Sequence, residues 1–263
     1  MERYLGPDSL TVVAQLRSRA PAWFRHADAV AVYAASLLLR LQVHRGSVRE
    51  LLASLLFQRV AAGFEAVLIL AERGMHTQGL VQRRSVLEAL FVLGAIWQKP
   101  ELVDRFLQSD DDRVLEIYKK MKRLPAEIRA ALEPEITLPL IEAKITELKG
   151  RTGGRKGPTT AEYAKAADLE TYYLTDYSFS SEAAHNVAKD LERHIHLDNE
   201  GEVVGMNWGP EDVPASELLG HAVDYTLMAC FAVESTFSIG PSSELKALQQ
   251  TSNQLNEQNG GAG

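Results

Sequence analysis

Arg84 and Glu88 stand four residues apart in a stretch whose second half, Val86 to Trp97, is otherwise almost wholly apolar. On a helix that spacing puts both side chains on one face, where they can pair. A buried ion pair is costly unless further hydrogen bonds satisfy it. Its retention therefore has two readings: a ligand-facing pair, or a structural pair that fixes helix register. Glu65 poses the same question in the preceding segment, Ala61 to Leu68. If the two helices fold back on each other at Gly74, Glu65 and Arg84 lie at nearly the same level, given about 1.5 Å of rise per residue. The spacing thus predicts a shared layer of Glu65, Arg84 and Glu88, beside the alternative of a solvent-facing Glu65.

Tyr173, Tyr177, Ser181 and His185 recur every four residues and would form one stripe on a continuous helix, with Glu182 beside it. Histidine exchanges protons near neutral pH, and a carboxylate or tyrosine can orient its ring. Arg84, Glu88, Tyr177 and His185 are therefore the candidate catalytic groups, and Glu65, Tyr173, Ser181 and Glu182 the candidate ligand contacts. A packed or surface histidine is the plainer reading of His185.

These parts must be positioned by helices. Leucine, alanine and valine recur at three- and four-residue spacing from Ser9 to about Arg123, broken at Pro21, Gly46, Gly74 and Pro100. That pattern predicts helices near 9–19, 26–44, 47–73, 76–98 and 101–122. Short connections favour antiparallel neighbours. The fold expected is all-α, an antiparallel helical bundle with one small β-hairpin inserted near 195–208. Thr159 and Glu162 have capping-box spacing, Pro214 suits a helix start, and 150–158 has the composition of a flexible loop. A single helical domain is expected over 1–242. A polar C-terminal tail, a frayed helix followed by disorder, is expected over 243–263.

The chain's 263 residues are 46% hydrophobic and 24% charged, enough for a sizeable core. A formal charge of -7 disfavours a nucleic-acid-coating surface without excluding a local basic groove. Cys230 is the one cysteine, so no disulfide forms within the chain, which favours a reducing cytoplasm. The apolar stretches Ala29 to Leu39 and Ala89 to Trp97 fall short of a membrane span, so no membrane association is expected. No secretion signal is visible at the start. Gly150 to Pro158 fails the phosphate-loop pattern, and neither a Gly-x-Ser-x-Gly elbow nor a His-Glu-x-x-His helix occurs. No cofactor or metal is expected.

Arg84-Ser85-Val86-Leu87-Glu88, followed by an apolar helix ending at Lys99-Pro100, and Tyr177-Ser178-Phe179-Ser180-Ser181-Glu182-Ala183-Ala184-His185 resemble the two signature segments of the bacterial domain of unknown function 5677 family. The resemblance covers roughly residues 45 to 235. It implies an all-helical fold, with Arg84, Glu88, Tyr177, Ser181 and His185 at the matching positions, and supplies no substrate.

Three functions compete, and the residues leave open whether the chain is an enzyme. The first is binding of a small molecule or a protein partner, with the polar cluster as specificity element in an apolar pocket and a homodimer among the expected assemblies. The second is a metal-independent RNase-like toxin or phage-defence protein. Against it, Arg40 to His44 and Arg193 to His196 are closer than the five-to-seven-residue spacing of the HEPN-type helical nucleases they would resemble. The third is a metal-binding bundle, suggested by Glu182-Ala183-Ala184-His185 with Glu65 and Glu88 as partners. It lacks a second Glu-x-x-His, and Arg84 beside Glu88 would repel a cation.

Overall fold

In the computed structural model, the residues described are 4–6, 9–132, 135–152, 157–184, 192–206, 208–211 and 213–260. Four helices open the chain: α1 (Ser9–Arg19), α2 (Pro21–Arg40), α3 (Val48–Glu72) and α4 (His76–Gln98). Pro21 starts α2 five residues before the expected position, because a proline fits the first helical turn, where an amide hydrogen is not needed. Ser47 accepts from the Glu50 amide and caps α3. Gly74 ends the α3–α4 turn at φ 68°, a left-handed conformation suited to glycine, and an added Cβ would lie 2.7 Å from Pro210 Cβ.

α5 (Leu102–Lys122), α6 (Ala126–Leu132) and α7 (Leu138–Thr152) follow, with α5 and α7 packed together. The segment expected to be a loop from 150 begins as the end of α7, and residues 153–156 lie outside the described residues. The Thr159–Glu162 capping box forms and starts α8 (Thr160–Ala166). α9 (Glu170–Tyr172) runs through a π-helical turn, Tyr173–Tyr177, into α10 (Ser178–Ala184). The hairpin expected near 195–208 is present as β1 (Ile195–Leu197) paired antiparallel with β2 (Val203–Met206).

α11 (Ala215–Thr236) is the last core helix. Residues 243–260, expected as a frayed helix leading into a tail outside the domain, form α12 (Ser243–Gly260), which packs on α2 and α11. Leu245, Leu248, Ser252 and Leu255 recur at helical spacing, and Leu245 and Ser252 are buried. A narrow stripe docks an otherwise polar helix.

The core is shared by α2, α3, α4 and α11. α3 is long and apolar enough to cross a membrane by length and composition, which the apolar stretches read from the sequence had not suggested. Its Phe57, Val60, Phe64 and Val67 are buried in this core. α3 and α4 are antiparallel, as expected, whereas α4 and α11 run parallel. Gly79 packs on Leu218, Arg83 reaches the Glu217 carbonyl, and Trp97 meets Phe231. Glu211 sets that alignment: its amide donates to the Gly74 carbonyl at 2.8 Å, and its carboxylate accepts from the Thr77 amide at 3.0 Å. One residue thereby caps the first turn of α4 and ties it to the start of α11. A long connection, α5 to β2, makes the parallel pairing possible.

Candidate functional site

Arg83, Leu87, Leu90 and Gly94 recur at three- and four-residue spacing along α4, and His221, Tyr225, Met228 and Ala232 do the same along α11. Between the two helices lies a polar layer near their starts and an apolar cavity near their ends.

In the polar layer Arg83 is 2% exposed, and its guanidinium donates to Asp176 Oδ1, with a second bond to the Glu217 carbonyl at 3.3 Å. Such a pair tolerates burial only when its remaining acceptors are met. Here the Tyr225 hydroxyl donates to Asp176 Oδ2, and His221 Nδ1 lies 3.2 Å from the Tyr225 oxygen. Burial, then the charge of Asp176, pushes the Tyr225 phenol far above its ordinary 10.0. The phenol therefore keeps its proton and donates a hydrogen bond with it to Asp176, which leaves its oxygen to accept from His221 Nδ1–H. Two lines of donors, one from the half-exposed imidazole through the phenol and one from the buried guanidinium, thus converge on the Asp176 carboxylate. The π turn makes it possible by adding a residue to the helix at Tyr173–Tyr177, which carries Asp176 into the core.

The adjacent residues form a second, outer cluster. Arg84 Nη2 donates to the Tyr177 hydroxyl at 3.0 Å, the hydroxyl donates to Glu88 Oε1 at 2.8 Å, and Arg84 lies 3.3 Å from Glu88. The guanidinium carbon sits 5.0 Å from the Tyr177 ring centroid, within cation–π range. The Tyr177 hydroxyl, with a smaller contribution from Glu88, holds Arg84 more firmly in its charged form, against a cost of burial. Tyr173 stacks on Tyr177 at 5.2 Å, and Phe91 meets both rings edge-on. The Nε atoms of Arg83 and Arg84 are buried with no hydrogen-bond partner among the described residues.

The sequence-based candidates divide accordingly. Arg84, Glu88, Tyr177 and Tyr173 come together. Glu65 does not join them: it is exposed. The expected level is met, since an added Cβ on Gly63 would touch Val86 at 2.7 Å, but Glu65 is two residues round the helix from that contact. Ser181 is half-buried and Glu182 exposed, and His185 lies outside the described residues. Among the described residues no three His, Cys, Asp or Glu side chains form a group that could hold a metal ion. Arg83, Asp176, His221 and Tyr225 were missed. The four-residue spacing that singled out Arg84 and Glu88 applies equally to His221 and Tyr225 on an apolar helix, and was the available signal.

Toward the other end of the two helices lies a cavity of about 330 Å³, walled by α4, the turn after α8, α11 and α12. Leu90, Gly94, Met228 and Ala232 line it, with Lys246 and Gln249 contributed by α12. Gly94 is required for its shape, because an added Cβ would come within 2.9 Å of Ala167 Cβ. None of Arg84, Glu88, Tyr177 or His221 lines this cavity.

A second buried carboxylate, Glu234 on α11, has different company. It accepts from the Tyr33 hydroxyl and from the Ser242 amide at 3.2 Å, and Ser242 Oγ lies 2.7 Å from the same hydroxyl. Burial and then the Glu234 bond raise the Tyr33 phenol to about 12. This triad anchors the chain just before α12.

The family comparison matches Family of unknown function (DUF5677) over residues 50–203. That span holds Arg83, Arg84, Glu88, Asp176 and Tyr177 and ends before His221, Tyr225 and Lys246. No curated protein and no solved structure matches the chain. Because the match covers more than half of its length, the chain belongs to the DUF5677 family.

Proposed function

We propose that this chain binds a small, mainly apolar molecule in the cavity between α4, α11 and α12. The observation that carries this is the cavity itself. Its 330 Å³ fall at the lower end of the range for ligand pockets, about 300–1,000 Å³, and its lining is largely hydrocarbon with few polar groups. The expectation that Arg84, Glu88 and Tyr177 contact the ligand changes under this proposal. These groups satisfy one another, Arg84 Nε apart, and lie off the cavity lining, which favours a role in holding the π turn against α4. RNA cleavage and a carboxylate–histidine metal centre both draw on His185, and neither gains a supporting observation.

Calorimetric titration of the full chain with decanol tests the proposal. Binding is expected, and Ala232→Leu, which places a larger side chain in the cavity, is expected to weaken it at least tenfold while leaving the helical circular dichroism unchanged. Decanol binding that ignores the Ala232 substitution would place the ligand elsewhere.

A further inference from the structure

We infer that the cavity selects an amphiphile with a single carboxylate head, a free aliphatic acid of medium chain length, held at Lys246. This deepens the ligand-binding proposal and rests on it.

Lys246 is the one charged side chain in the lining. It is exposed, and it has no ion-pair partner among the described residues. Its charge is therefore uncommitted at the edge of a hydrocarbon-walled space. Gln249 follows three residues later on α12, so the two heads lie on the same helical face. The Gln249 amide donates one hydrogen to Asn253 Oδ1 at 3.2 Å, which leaves its second hydrogen for a ligand oxygen. Lys246 also lies in the first turns of α12, where the helix dipole adds positive potential. Glu244 is two residues away and so on another face of the helix.

The chemistry of the head follows from the donors. One ammonium and one amide hydrogen match the two oxygens of a carboxylate, whereas a phosphate dianion calls for more cations or a nest of backbone amides. A cationic head would meet Lys246 and be repelled. The body must suit a wall of leucine, methionine and aromatic carbon, and the small volume favours one chain over the two of a phospholipid. Beneath the head groups Leu245 is 4% exposed, so the helix offers carbon inward and charge outward over a single turn.

The experiment is calorimetric titration of the full chain with decanoate, decanol and decyltrimethylammonium, each below its aggregation concentration, at about pH 7.5, where the acid is ionised. Decanoate is expected to bind at least tenfold more tightly than decanol and the cation more weakly than either. Lys246→Gln is expected to bring decanoate down to the level of decanol and leave decanol unchanged. If decanoate and decanol bind equally, or if the preference survives in Lys246→Gln, the head-group assignment is overturned while the cavity stands. If no compound binds, or if Ala232→Leu alters none of the binding, the cavity proposal fails and the head-group assignment falls with it.

Discussion

The two ends of the seam between α4 and α11 solve opposite problems with the same helices. Near the helix starts, Arg83, Asp176, Tyr225 and His221 fill the space with polar groups bonded to one another, Arg83 Nε apart. Toward the ends, small and apolar residues such as Gly94 and Ala232 leave space unfilled. The difference teaches that buried polarity does not by itself mark a binding site. Charges paired with each other act as a brace, and the place that can receive a molecule is the one with room in it.

The largest expected effect comes from breaking the brace. Arg83→Met strands Asp176 in the core, and loss of one partner of a buried pair costs about 3–5 kcal/mol. Denaturant unfolding should show that loss. The double variant Arg83→Met/Asp176→Leu should recover much of it, since a well-packed apolar pair avoids the stranded charge. A single-variant loss under about 1 kcal/mol would remove the distinction between the two ends.

An intermediate effect is expected from pH, through a buried group that lacks such company. His26 on α2 is 5% exposed, and its Nε2 has no hydrogen-bond partner among the described residues. Burial lowers its pKa below 6.5, partly opposed by the charge of Asp224. Between the lowered folded value and 6.5 the unfolded chain binds more protons, so stability falls as pH drops through that window. Denaturation midpoints measured on either side of pH 6.5 should therefore converge in His26→Phe relative to the parent. An unchanged pH dependence would mean that His26 carries no burial penalty.

The smallest effect is expected at the outer cluster. Arg84 and Glu88 side chains are 25% and 42% exposed, and a partly solvated pair is worth less than about 1 kcal/mol. Arg84→Gln should shift the unfolding midpoint only slightly. A loss rivalling that of Arg83→Met would make the outer cluster, too, part of the brace.

Much of this molecule was legible because helices announce themselves by period, and Arg84, Glu88 and Tyr177 because an ion pair and a tyrosine at helical spacing stand out in apolar surroundings. Asp176 was hidden by the π turn, since a regular 3.6-residue reading gives no reason for that position to face inward. Its partner Arg83 was overlooked beside Arg84, although burial of one and partial exposure of the other follow from their one-residue offset. The cavity left no trace in sequence for a different reason. A void is bounded by segments far apart in the chain, Leu90 to Trp97, Ala167 to Leu169, Leu227 to Ala232 and Pro241 to Gln249, and no residue type encodes it. The docking of α12 was readable in principle from Leu245, Leu248, Ser252 and Leu255, but four positions spread over a Gln- and Asn-rich segment give a faint signal.

The polar layer between α4 and α11 draws its parts from well-separated points along the chain. Arg83 and Asp176 are 93 residues apart, and Tyr225 follows 49 residues later. In a chain emerging from the ribosome the guanidinium and carboxylate are thus available to each other well before the phenol that will cover them is made. Nothing downstream of Asp176 is needed for the two charges to reach each other, whereas covering them requires α11.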